Sequence, residues 1–184
     1  MDLTKNKSHP ISLYKCGKPT WLEHPSVGEN IDVVALRIEI PSNFFVTAFS
    51  KEDCISSDPN MMSIHVPIGD DILVVGYPDG LYDSIHNIPI FRSGSLASLY
   101  PLQYLDNYYF LIDSCLHKGT SGSPVLLKPS RLIQTDKSGC RHVIDYPKKR
   151  YLIGIHSGEL DKTRKYLNLS TVWFAELIQE IIEG

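Results

Sequence analysis

The sequence predicts an all-β fold, an antiparallel barrel or sandwich finished by one helix at the C-terminus. Three observations predict it. Short apolar, β-branched runs recur along the chain, Gly, Pro, Asn and Asp separate them, and no helical pattern of about 10–15 residues lies between them. "IDVVALRIEI" (31–40) alternates toward its end and reads as a strand, and "FFVTAF" (44–49) is a candidate for another. "DILVVGYP" (71–78) is a strand running into a turn, and "IPIFRSGSLASL" (88–99) carries the next, with a bend expected at Gly94. "YYFLID" (108–113), "SPVLL" (123–127) and "RYLIGIHSG" (150–158) complete the strands. "STVWFAELIQEIIEG" (170–184) places apolar residues at helical spacing, with Ser170 or Thr171 as N-cap, so a docked helix is expected there. Residues 128–149 are polar and interrupted and read as a long excursion holding a small hairpin.

Bulk composition narrows the function. A chain of 184 residues buries roughly 70% of its unfolded surface and needs neither disulfide nor metal to hold a core. A net charge of −3 argues against a nucleic-acid groove or a membrane surface as the working face. The basic run Lys148–Arg150 reads as a solvated loop. Cys16, Cys54, Cys115 and Cys140 show no paired spacing, and no signal peptide is visible, so thiols in a reducing, cytoplasmic compartment are the expectation. No spacing offers a zinc ligand cluster, so no cofactor is expected.

The chemistry concentrates in "HKGTSGSPV" (117–125). Three readings compete. A Gly/Ser turn with only a structural role is common in β proteins. A nucleophile elbow needs Gly-x-Ser-x-Gly between a strand and a helix, but here the second glycine is absent and so is the strand–helix alternation. An oxyanion loop needs backbone N–H groups turned toward a carbonyl oxygen that becomes negative. Gly119 and Ser121 can supply those two N–H groups, and Ser121 the nucleophile.

"GTSGSPV" resembles the Gly-x-Ser-Gly-Gly/Ser-Pro signature of the trypsin-like, chymotrypsin-fold serine peptidases, and its Ser-Pro form resembles bacterial members such as the glutamyl endopeptidases. "IDVVALRI" (31–38) resembles the strand that carries the triad aspartate, here Asp32, and His24-Pro25 matches a non-catalytic feature that precedes it. "LIGIHSG" (152–158) resembles the strand that pairs with the substrate backbone, which would make Ile155, His156, Ser157 and Gly158 substrate-binding residues. His156 also resembles the pocket histidine that glutamyl endopeptidases set against an acidic side chain; the alternative is a strand histidine satisfied by backbone. The resemblance implies a double antiparallel β-barrel with a C-terminal helix, a peptide or protein substrate and acyl-enzyme chemistry.

The general base is missing from that pattern. A triad needs an imidazole between Asp and Ser, and in this family it precedes the aspartate. His24 lies too close to Asp32 to leave room for the intervening strands. His9 is at an adequate distance, since two strands and three connections need roughly 24 residues. It is preceded only by "MDLTKNKS" and followed by Pro10. His65, His86, His117 and His142 fall in or near loops of the second half. The expectation is therefore an incomplete first barrel (1–67) carrying Asp32 and a complete second barrel (68–184) carrying the nucleophile loop and helix. The exposed edge of the incomplete barrel would be available for association. A truncated peptidase with little activity, a peptide-binding pseudoenzyme and an inert fragment are the alternatives.

Overall fold

A computed structural model describes residues 9–44, 46–55, 64–128, 131–135, 138–145, 150–161, 163 and 165–184. Its strands are β1 (Tyr14–Lys15), β2 (Lys18–Pro19), β3 (Trp21–Leu22), β4 (Ala35–Leu36), β5 (Ile64–His65), β6 (Asp71–Gly76), β7 (Ile90–Leu96) and β8 (Tyr109–Asp113). They continue as β9 (Pro124–Leu127), β10 (Arg131–Thr135), β11 (Arg141–Asp145), β12 (Tyr151–Glu159) and β13 (Leu169–Phe174), and the helix α1 (Glu176–Glu183) follows. Six of the strands close a barrel in the order β12-β13-β8-β7-β6-β9, with every pairing antiparallel. The all-β expectation is met, and five of the six barrel strands, all but β13, sit where the β-branched runs placed them.

The core shows why those runs pair. Ile72, Val74, Phe110, Ile112, Val125, Leu127, Ile153 and Val172 are fully or almost fully buried and form one cluster. Leu177 and Ile181 of α1 join it, as do Ile31, Val33, Ile55 and Val66 from the first third of the chain. The N-terminal segment is therefore packed onto the barrel by its own apolar side chains, each contributing on the order of 1.5–3 kcal/mol when fully buried.

Two expectations need correction. The strand predicted over 31–40 shrinks to Ala35–Leu36, paired only with β3, and 46–49 lie in no strand. Alternation is a local signal, but a ladder needs a neighbour, and residues 37–40 have none among the described residues. The C-terminal segment also divides differently. Ser170 and Thr171 do not cap a helix; they lie within β13, which pairs with β8 and β12, and α1 begins only at Glu176. Val172, Trp173 and Phe174 are all buried, which fits a strand covered on both faces as well as it fits a helix. The excursion after β9 does contain a hairpin, β10–β11, which extends through β5 into a three-stranded sheet. Lys148 and Lys149 of the basic run lie outside the described residues. Among the described residues no helix is long and apolar enough to cross a membrane.

α1 is tied to the N-terminal segment by two polar contacts. The buried His24 ring accepts at Nδ1 from the backbone N–H groups of Ser26 and Val27, so its proton resides on Nε2, which donates to Glu180 at 2.8 Å. Lys51 pairs with Glu183 at 3.3 Å. His24 thus fixes the turn that leads into Ile31 and Asp32.

Gly154 allows β12 and β13 to approach. A Cβ there would run into the Trp173 carbonyl and, at 2.5 Å, the Val172 side chain. We expect Gly154→Ala to lower the unfolding free energy by about 1–3 kcal/mol, measured by urea denaturation, because the two strands must separate to admit the methyl group.

Candidate active site

Residues 114–123 join β8 to β9, and 116–123 form a tight loop with Gly119 at φ 85° and Gly122 at φ 81°. Its residues divide between buried and exposed. Thr120 is buried and its hydroxyl donates to the His117 carbonyl at 2.7 Å. Ser123 is buried, and its backbone donates to Thr120 and accepts from His156. Ser121 lies between them and is exposed. Of the two serines in the motif, the one the sequence singled out faces solvent.

The backbone N–H groups of the loop divide in the same way. Those of Thr120, Gly122 and Ser123 donate to the carbonyls of His117, His156 and Thr120. Those of Gly119 and Ser121 have no partner among the described residues. The turn after β6 sets the direction of the first. Asp79 donates its N–H to the Lys118 carbonyl at 2.6 Å. Because the peptide is planar and trans, the Gly119 N–H must point the opposite way, clear of that turn. A side chain at 119 would meet the Tyr77 carbonyl at 2.6 Å, so glycine is required by both conformation and contact. Two unpaired N–H groups beside an exposed hydroxyl can hold a developing oxyanion.

Asp32 reaches the same place from the other half of the molecule. Its neighbours Ile31 and Val33 are buried, which leaves its own side chain directed out. Its carboxylate accepts from the Ser157 hydroxyl at 2.7 Å. Ser157 lies at a β-bulge, where the β12–β13 register shifts between His156 and Gly158. The Ser157 carbonyl in turn accepts from the Ser121 hydroxyl at 2.5 Å. Ser157 therefore connects both residues the sequence assigned to catalysis.

No imidazole takes part in that connection among the described rings. His9 packs edge-on against Phe44, His24 bonds Glu180, and His86 bonds Asp83. His117 presents no recorded bond to Ser121 or Asp32, and the rings of His65 and His142 lie outside the described part. His156 is buried with its ring turned inward. Nδ1 donates to the Thr120 carbonyl at 2.8 Å, and Nε2 has no partner among the described groups. Burial lowers its pKa below the usual 6.5, only partly opposed by the Thr120 bond. Ile155 and Gly158 flank it, the first half-buried and paired with Pro124 and Trp173, the second paired with Thr171.

Three positioning contacts escaped the sequence. The Pro78-Asp79-Gly80 turn was legible as a turn, but nothing in the residue order places it against the 118–119 peptide. Thr120 as the inward anchor and the double role of Ser157 likewise depend on tertiary neighbours.

The sequence of this chain matches the family model for a trypsin-like peptidase domain over residues 17–133, well over half its length and a stretch that includes Asp32 and Ser121. The chain belongs to that family. Among solved structures it is similar to Rv3671c from M. tuberculosis H37Rv, determined as a serine-to-alanine mutant in an inactive form. The identity is 15% and the TM-score 0.41, over 71% of this chain and 51% of the other, so the chain spans about half the length of that protein. No curated protein matches it.

His156 gives the trypsin-like domain an acid limit. Above pH 6.5 the ring is neutral in both folded and unfolded states. As pH falls through 6.5 the unfolded chain takes up a proton that the buried ring resists, so stability is lost toward acid. We expect His156→Asn, whose amide can still donate to Thr120, to reduce the slope of unfolding free energy against pH as pH falls below 6.5. A slope equal to that of the unmodified protein would overturn this assignment.

Proposed function

We propose that the chain is a trypsin-like serine endopeptidase domain in which Ser121 is the nucleophile and the N–H groups of Gly119 and Ser121 form the oxyanion hole. Asp32 is the carboxylate that orients a base, and the β12 segment Ile155–Gly158 receives the acyl side of the substrate. The observation that carries the reading is the convergence of Ser121 and Asp32 on Ser157, beside two N–H groups with no described partner.

In this reading a substrate carbonyl sits against the Gly119 and Ser121 N–H groups, and the Ser121 hydroxyl attacks its carbon. The hydroxyl proton must leave as the bond forms. At rest it is donated to the Ser157 carbonyl, which is too weak a base to accept it. Attack therefore requires the hydroxyl to turn away from Ser157 toward an imidazole held by Asp32. Without such a group among the described residues, the 184-residue form is proposed to have negligible turnover.

A fluorophosphonate label on the purified chain tests both parts. We expect less than a few per cent labelling of Ser121 in buffer. Added imidazole should raise the labelling rate in proportion to free base, and Ser121→Ala should abolish it. Stoichiometric labelling without imidazole overturns the inactivity. Absence of labelling at any imidazole concentration overturns Ser121 as a nucleophile. In the latter case, retained peptide binding that is lost on altering Ser157 or Gly158 would favour a peptide-binding pseudoprotease.

A further inference from the structure

The ladder between β3 and β4 stops at Leu36. Beyond it the chain runs Arg37-Ile38-Glu39-Ile40 to Pro41. Ile38, Glu39 and Ile40 make no backbone hydrogen bond with a described residue and lie in no strand. None of the four residues 37–40 has a positive φ. All four are exposed, Ile38 and Ile40 each at 47%. Arg37 and Glu39 have no ion-pair partner among the described residues. An apolar, β-prone stretch with unpaired backbone is a template for another strand, and the residue order specifies which strand fits.

We propose that residues 36–40 pair antiparallel with the same residues of a second copy of this chain, giving a two-fold symmetric dimer. "LRIEI" is complementary to itself when reversed about Ile38. Leu36 then faces Ile40, Ile38 faces its symmetry mate, and Arg37 faces Glu39 twice. The apolar residues fall on one face of the joined sheet and the two ion pairs on the other, because alternate residues point to opposite faces. A slip of one residue would set isoleucine against a charged residue on the same face. A slip of two either way would set arginine against arginine or glutamate against glutamate, a destabilising pair. One register satisfies both faces, and it is isologous, so it closes at two copies. Pro41, with no N–H to donate, ends the ladder.

A five-residue ladder falls short of the ~1,200 Å² that stable interfaces bury, so the dimer is a weak one that dissociates on dilution. The proposal does not depend on the peptidase reading.

Sedimentation velocity on the 184-residue chain between about 1 and 500 μM tests it, with circular dichroism to verify folding. We expect a reversible monomer–dimer equilibrium for the unmodified chain. Arg37→Glu and Glu39→Lys should each weaken dimerisation at least ~10-fold, since each sets like charges opposite one another. An equimolar mixture of the two variants should dimerise, because each strand then carries the charges the other lacks. Three results overturn the proposal: a chain that stays monomeric throughout, single reversals that dimerise as well as the parent, or a mixture that stays monomeric while the parent dimerises.

Discussion

Ser157 occupies a position where the regular strand gives way. In a regular antiparallel strand the N–H and C=O of a residue both point to one neighbouring strand, so a carbonyl that meets a group outside the ladder calls for an irregularity. The shift of register between His156 and Gly158 leaves room for one residue outside the ladder. Its hydroxyl meets Asp32 and its carbonyl meets Ser121. The hydrogen bonds that bring Ser121 and Asp32 together both end on it. The bulge is held because β12 is bonded on both sides, to β9 and the nucleophile loop on one and to β13 on the other.

The 116–123 loop relies on the same support. It is short, and its residues are sorted by what lies beneath them. Thr120 and Ser123 point into the barrel mouth, where the Thr120 carbonyl accepts from the His156 ring and the Ser123 carbonyl from the His156 N–H. Ser121 and Gly119 are left facing outward. The buried imidazole is thus a structural counterpart of the exposed hydroxyl, and its neutral state follows from its lack of solvent. A charged ring there would have no counter-ion among the described groups.

The barrel was legible in the sequence because its strands are short β-branched runs bounded by Gly, Pro and Asp, and those signals are local. Motif and order single out Ser121, Gly119 and Asp32, and the structure brings Ser121 and Asp32 to the same residue, Ser157. What escaped depended on neighbours distant in sequence. Residues 37–40 alternate like a strand but no described strand lies beside them, so the pattern overstated the element. In β13, burial on both faces erased the alternation that would have separated it from the helix, and a single apolar run concealed two kinds of structure. The bond from Asp79 to Lys118 and that from His24 to Glu180 join positions no sequence window spans.

The Asp79–Lys118 bond has a further implication for how this domain tolerates change. The group that aims the Gly119 N–H is a main-chain amide, so the identity of the side chain at 79 does not enter the contact. Replacing that side chain leaves the donor in place, but Asp79 itself sits at φ 50°, a left-handed conformation that glycine, asparagine and aspartate tolerate best. A scan that trims side chains would therefore register the strain of the turn and not the loss of a contact. Sensitivity moves instead to the backbone shape of the turn and its partner. Gly80 has φ 75°, and Gly119 leaves no space for a methyl group beside the Tyr77 carbonyl. Sequence drift in this region is therefore constrained by conformation while remaining free in chemistry, and the loop can acquire new side chains around a fixed amide.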